Sequence, residues 1–221
     1  ELAITSAGVL TFVSAPDYET TTSYSATVTA SDGTNSTTQE ITVNVTNVND
    51  VAPEFTSDAT FSAAENQTAI GTVTATDAEG DEVTFTISGD ELAITSAGVL
   101  TFVSAPDYET KDAYTATVTA SDGTNSTTQS ITVNVTDVNE APAFTSPVTF
   151  SAAENQTAIG TVAASDVDGD TITYSISGSD ITINSSSGVI TFASAPDYET
   201  KTSYTATVTA SDGTNTTTQD I

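Results

Sequence analysis

The chain has 221 residues, 30 acidic side chains against 2 basic ones, no His, no Cys and a formal charge of −28. That charge excludes phosphate recognition, which needs a basic stripe to release counterions, and it argues against docking on an anionic membrane surface. Without His or Cys there is no zinc site, disulfide framework, thiol nucleophile or imidazole base, and no apolar run approaches the ~18 residues of a membrane span.

Hydrophobic residues make up 37% of the chain, a level that with this charge points by composition to disorder. The arrangement points the other way, because the apolar residues alternate with polar ones and the acids sit at turns. The chain opens on Glu1-Leu2-Ala3-Ile4-Thr5, and residues 1–20 recur unchanged at 91–110. Within them Ala15-Pro16-Asp17-Tyr18-Glu19-Thr20 recurs a third time at Ala195–Thr200, with prolines at a fixed period (106 − 16 = 196 − 106 = 90). A period of this length marks repeated domains.

The linker Asn47-Val48-Asn49-Asp50-Val51-Ala52-Pro53 sets the frame, followed by Phe55. Next comes Ala64-Glu65-Asn66-Gln67-Thr68, repeated at Ala153–Thr157, and then the acidic turn Asp77-Ala78-Glu79-Gly80-Asp81. Val83, Phe85 and Ile87 alternate with Thr84 and Thr86, as Tyr114, Ala116, Val118 and Ala120 do with Thr115, Thr117 and Thr119. Ile131, Val133 and Val135 alternate with Thr132, Asn134 and Thr136. This period of two with one wet face predicts antiparallel strands, and Thr suits a pleated surface. Between strands lie Asp107 and Glu109 around Tyr108, Ser121-Asp122-Gly123, and the second linker Asp137-Val138-Asn139-Glu140-Ala141-Pro142 before Phe144. The last copy carries Glu154, Asp166-Val167-Asp168-Gly169-Asp170, Asp197 with Glu199, and Asp212.

The expected architecture is therefore all-β: tandem Greek-key β-sandwiches of about seven strands, arranged end to end. Residues 53–141 form one whole repeat, 142–221 a repeat lacking its last strand, and 1–52 the second half of a repeat. Half a sandwich cannot bury its own core, so the chain is expected to be cut from a longer array.

Three readings of the acids compete: solvated turns, a glycosidase carboxylate pair, or oxygen ligands for a hard cation. The spacing favours Ca²⁺, since Asp-x-Asp, Asp-x-Glu and Asp-x-Asn-Glu place alternate oxygens around a point in every copy. Two such charges ~4 Å apart repel by about 1 kcal/mol in water and about 4 kcal/mol at intermediate dielectric. Tyr18, Tyr108 and Tyr198 read as core anchors rather than sugar-stacking rings, and Lys111 and Lys201 as partial charge compensation. Triplets such as Asn35-Ser36-Thr37 match a glycosylation signal that polar strand faces generate by chance.

With Ala64-Glu65-Asn66, Asp107-Tyr108-Glu109, Ala120-Ser121-Asp122-Gly123, Asp137-Val138-Asn139-Glu140-Ala141-Pro142 and Asp166-Val167-Asp168 in order, the chain resembles cadherin-like repeats, in the form found in large bacterial surface proteins. The resemblance covers the whole chain and implies calcium ions between successive repeats. At the second junction it implies Glu65, Asp107, Glu109, Asp137, Asn139 and Glu140 from the upstream repeat, and Asp166, Asp168 and Asp212 from the downstream one. At the first it implies Asp17, Glu19, Asn47, Asn49, Asp50, Asp77, Glu79 and Asp122. Glu154, Asp197 and Glu199 would serve a third junction beyond residue 221. Asn47 stands where Asp137 stands, and Glu79 stands where Asp168 does. Asp81 and Asp170 fit either the site or the Gly turn.

The resemblance further implies a non-enzymatic, extracellular, secreted or cell-surface adhesin stalk, stiffened by calcium. Two alternatives are a self-assembling fibre or matrix made from copies of the chain, and a module binding surface polysaccharide, against which the absence of Trp speaks. No nucleic acid and no membrane insertion are expected.

Overall fold

The computed structural model describes all 221 residues and contains strands and turns without a helix. The first 52 residues carry β1 (Leu2–Ile4), β2 (Leu10–Phe12), β3 (Ser23–Ser31) and β4 (Ser36–Asn44). The middle repeat carries β5 (Glu54–Phe55), β6 (Thr60–Ala64), β7 (Ala69–Thr72), β8 (Ala75–Thr76), β9 (Thr84–Ile87), β10 (Leu92–Ile94), β11 (Val99–Phe102), β12 (Ala113–Ser121) and β13 (Ser126–Thr136). The last repeat carries β14 (Ala143–Phe144), β15 (Ala158–Thr161), β16 (Ala164–Ser165), β17 (Thr173–Ile176), β18 (Ile181–Ile183), β19 (Val189–Phe192), β20 (Thr207–Ser211) and β21 (Thr216–Asp220).

The nine segments of the middle repeat amount to seven passes, because β5 with β6 and β7 with β8 are each one interrupted strand. One sheet runs β6-β13-β12-β9 and the other β10-β11-β7, with β5 pairing β8. The alternation read from sequence sets the faces. Val118 and Ala120 of β12 and Ile131, Val133 and Val135 of β13 are buried, as are Phe85, Leu92, Leu100 and Phe102. Full burial of such side chains contributes about 1.5–3 kcal/mol each. Phe102 meets Tyr114 edge to face at 5.1 Å, and the same pair recurs as Phe12–Tyr24 and Phe192–Tyr204.

Gly98 has φ +86°, and its carbonyl accepts Val73 N–H at 2.8 Å. A Cβ there would lie 2.2 Å from Val73 O, so only glycine lets the β10–β11 turn approach the strand ahead of β8.

No residue among the first 52 is buried. In that stretch β3 pairs only with β4, and β1 only with β2. In the last repeat Val162, Ile181, Ile190 and Val208 form the core, with Phe150, Tyr204 and Ile221 against it. Residues 149–153, which match β6, carry no strand there. A cavity of about 430 Å³ lies against them, lined by Phe150, Ile159, Phe192 and Tyr204.

The chain divides into two compact units. One is Glu1–Ala63 with Gln67–Pro106 and Ala113–Val135; the other is Ala64–Asn66 with Asp107–Asp112 and Thr136–Ile221. The division does not follow the expected repeat boundaries. The tip after β6 and the Asp107–Asp112 turn, both in the middle repeat, group with the last repeat. Each acidic cluster therefore lies inside a single unit.

Candidate metal centres

In the second unit the site is built around Glu65, which is only 3% exposed. It follows β6 directly, and its N–H donates to Thr136 O at 3.1 Å. Its Oε2 accepts the Tyr108 N–H and its Oε1 the Val138 N–H, both at 2.8 Å. A buried carboxylate is tolerable only with such partners, and here one side chain ties the acidic turn to the linker. Asp107 shapes that turn: its Oδ1 accepts Thr110 N–H at 3.1 Å, and Glu109 lies within the turn, exposed.

Two groups of three carboxylates follow, each with oxygens within 4.8 Å of one another: Glu65, Glu109 and Glu140, then Glu109, Asp137 and Asp168. Asp168 Oδ2 accepts the Glu140 N–H at 2.9 Å. Asn139 donates to Asp212 Oδ2 at 2.9 Å, and Asp212 Oδ1 accepts Thr214 and Asn215 N–H at 2.6 Å. Asp166 Oδ1 accepts Asp170 N–H at 3.3 Å, so Asp170 closes the Gly turn.

The first unit holds the corresponding set. Glu19, Asp50 and Glu79 form one group and Asp77, Glu79 and Asp81 another. Glu79 Oε1 accepts both Asp50 and Val51 N–H, at 2.9 and 3.1 Å. Asn49 donates to Asp81 Oδ2 at 2.7 Å, so Asp81 joins this site. Asp17 holds Thr20 by N–H and hydroxyl and stays a turn former. Asp122 caps Thr124 and Asn125 in the same way. Asn47 is exposed.

Glu154, Asp197 and Glu199 also converge, all exposed, with Glu154 accepting Tyr198 N–H at 3.1 Å. Tyr198 is 63% exposed, which corrects the expected core role at this copy, while Tyr18 and Tyr108 are half-buried. Lys201 pairs with Asp180 at 2.6 Å and lies over the Tyr204 ring. It compensates an acid outside the predicted ligand sets.

Asn66, Asn125 and Asn215 belong to the sites and were not among the predicted ligands. Asn66, at φ 61°, donates to Glu140 Oε1. Asn125 donates to Asn49 Oδ1 at 2.6 Å, and Asn215 to Asn139 O at 2.8 Å. The available signal was recurrence of the Ser-Asp-Gly-Thr-Asn turn at Asn35, Asn125 and Asn215.

Like charges mark both sites. Lost hydration raises Asp137 above 3.8, with Asp168 and Glu65 adding to it. Lost hydration also raises Glu140 above 4.5; the Asn66 hydrogen bond opposes this, and Glu65, Asp168 and Asp137 reinforce it. For Glu109 its own N–H lowers the value, but lost hydration and Glu65, Asp168 and Asp137 together raise it. Glu19 is raised by lost hydration against its own N–H, with help from Glu79, Asp17 and Asp50. Asp122 and Asp212 lose hydration too, yet hydrogen bonds from Asn125 and Thr124, and from Asn139 and Thr214, leave them lowered.

The fit to a cation rests on partnerless oxygens. Seven buried side-chain atoms lack a hydrogen-bond partner, and five are carboxylate oxygens of these two sites: Asp77 Oδ2, Glu79 Oε2, Glu140 Oε2, Asp166 Oδ2 and Asp168 Oδ1. Buried polar atoms are ordinarily satisfied, and each exception needs a cause. An all-oxygen donor set suits a hard cation and not zinc.

The family model described as Cadherin domain matches residues 148–220. The chain is 34% identical to the Drosophila melanogaster Protocadherin-like wing polarity protein stan, over 73% of its own length and 5% of that protein's. It is 34% identical to the Mus musculus Cadherin EGF LAG seven-pass G-type receptor 2, over 97% of its own length and 8% of that protein's. The chain thus spans a small fraction of either relative. Among solved structures it is similar to mouse Cadherin-23 EC22-24, at 26% identity and TM-score 0.57, covering 93% of this chain and 74% of that one. It is also similar to mouse Protocadherin-24 EC1-3, at 22% identity and TM-score 0.64, covering 100% and 84%; this second likeness bears on the fold alone.

Proposed function

We propose that the chain, which is similar to cadherin repeats in sequence and structure, is a calcium-stiffened stalk of an extracellular, cell-surface or secreted adhesin of the bacterial type. The observation that carries this is the set of five buried, partnerless carboxylate oxygens gathered at the two junctions. Identity of residues 1–20 with 91–110, and the absence of Trp and Cys, suit a repetitive spacer better than a partner-specific head. Adhesion itself would reside in segments the stalk holds outward.

Bound calcium would supply the positive charge that lets opposed carboxylates share one point. Glu65 holds the acidic turn and the linker together, Asp168 holds Glu140, and Asn139 with Asn215 fixes the linker against the Asp212 turn. Extracellular modules of this kind bind calcium with Kd about 10⁻⁴–10⁻³ M. Small-angle scattering in millimolar calcium and then in chelator tests the reading: the maximum dimension is expected to become less defined and shorter without calcium. An unchanged profile overturns it.

The pH response has a workable sign. Glu19, Glu109, Asp137 and Glu140 have raised pKa values, so the calcium-free fold binds protons more tightly than the unfolded chain. Their destabilisation is present at neutral pH and is relieved as pH falls towards 4.5 for Glu and 3.8 for Asp. Asp17, Asp122 and Asp212 are lowered, and their stabilisation is lost only below 3.8. The calcium-free protein is therefore expected to melt higher at about pH 5 than at pH 7.5, read by circular dichroism. In saturating calcium the order reverses, because protons compete for the same oxygens.

A further inference from the structure

Four Asp-Gly steps occur in the chain: Asp32-Gly33, Asp122-Gly123, Asp168-Gly169 and Asp212-Gly213. Such a step can close on itself, because glycine has no Cβ to keep its backbone nitrogen away from the preceding side-chain carboxyl. Three of the four are held against this in the same way. The Gly33, Gly123 and Gly213 N–H groups donate to Ser31, Ser121 and Ser211 Oγ at 3.2, 3.1 and 3.1 Å. Asp32, Asp122 and Asp212 each use Oδ1 to accept two more N–H groups of the same turn, those of the following Thr and Asn. Nitrogen and carboxyl are both tied down. At the fourth step Val167 stands where the others have serine. Gly169 is exposed at φ +80°, its N–H has no acceptor in the protein, and nothing lies within 4 Å of the place a Cβ would take. Asp168 Oδ1 has no partner, and its Oδ2 accepts only the Glu140 N–H. The middle repeat has Glu79-Gly80 at this turn, whose longer arm would have to close the larger, slower-forming glutarimide.

We propose that Asp168-Gly169 is a spontaneous modification site, the Asp-Gly step of this chain that converts to isoaspartate, while serine hydroxyls protect the other three. The Gly169 nitrogen attacks Asp168 Cγ and a C–N bond forms. A carboxyl C–O bond breaks, and its oxygen leaves as water with the amide proton and one proton from solvent. Water then opens the succinimide. Attack at Cγ restores aspartate. Attack at the main-chain carbonyl leaves the chain running through the side-chain carbon, with a free α-carboxylate. Mass is unchanged over the two steps, and water is the sole co-reactant. The product adds a methylene to the main chain and moves the carboxylate, so the Glu140 N–H loses its acceptor and the linker comes away from the turn. In the protected turns the same attack must first break the serine hydrogen bond and release Oδ1 from two amides, each a cost that the Asp168 turn does not carry.

The test is prolonged incubation of the whole 221-residue chain in warm neutral buffer with chelator, so that the outcome does not depend on the calcium reading. Isoaspartate is detected by isoaspartyl methyltransferase labelling and placed by an endoprotease that cuts before Asp but not before isoaspartate. Wild type is expected to lose cleavage at the Val167-Asp168 bond progressively while keeping it before Asp32, Asp122 and Asp212. In Gly169→Asn the new side chain accepts a positive φ, has open space around its Cβ and shields the nitrogen; labelling at Asp168 is expected to vanish. Ser121→Ala frees the Gly123 N–H, and labelling at Asp122 is expected to rise several-fold. Labelling spread evenly over the four steps, confined to the other three, or absent from wild type overturns the proposal. Labelling at Asp122 unchanged by Ser121→Ala overturns the protective role of the serines. The wild-type map decides the site by itself should either variant fail to fold.

Discussion

Stripping calcium from the protein at neutral pH is expected to lower its melting temperature by more than about 10 °C while leaving its β-sheet content intact at room temperature. The second half follows from the core. Leu100, Val118, Ile131 and Val133 are buried without help from any acid, and the β12–β13 ladder runs nine residue pairs from Ala113↔Asn134 to Ser121↔Ser126. The first half follows from mass action. A ligand at a hundred times its Kd contributes about 2.7 kcal/mol. With Kd near 10⁻⁴ M and calcium at 10 mM, two occupied positions exceed about 5 kcal/mol. At about 2–4 °C per kcal/mol for a chain of this size, the shift passes 10 °C. The loss is deepened by what remains, a net charge of −28 with carboxylates grouped within 4.8 Å. Melting curves with and without chelator check this. A shift under about 2 °C would mean that the acids are merely solvated.

The sequence carried the fold well because its signals are local. Period-two alternation across Tyr114–Ala120 and Ile131–Val135 is a direct record of which side faces the core, and the buried residues of β12 and β13 fall on it. The seven passes could be counted, but not the breaks that split β5 from β6 and β7 from β8, since an interruption changes hydrogen bonding without changing polarity. For the site, residue types and spacing show which acids recur, not what each oxygen does. Asp107 and Asp17 share the pattern of Glu109 and Glu19, yet each spends its side chain on capping a turn. Asp81 and Asp170 match in sequence and both close their turns by N–H, yet Asp81 also receives Asn49, while Asp170 bears on Asp137 through its charge. Glu65 looked like one acid among many. Its near-complete burial depends on two backbone amides 43 and 73 residues downstream, and no local signal reports such a distance.

Asp168 offers the sharpest separation between a metal ligand and a structural acid. Its Oδ2 accepts the Glu140 N–H, its Oδ1 has no partner, and Glu109 and Asp137 approach within 4.8 Å. In Asp168→Asn the amide oxygen can keep the Glu140 bond, and the new NH₂ points donors at two carboxylates. Without calcium the substitution removes a like charge and is expected to raise the melting temperature by about 2–4 °C, the equivalent of about 1 kcal/mol. With calcium saturating, the same change removes an anionic ligand, and the melting temperature is expected to fall by at least about 4 °C. A tenfold loss of affinity costs about 1.4 kcal/mol, and a divalent ion amplifies it. The sign of the effect therefore turns on calcium alone. A residue that only braced the Asp-Val-Asp-Gly-Asp turn would move both melting curves in the same direction, and that result would remove Asp168 from the ligand set.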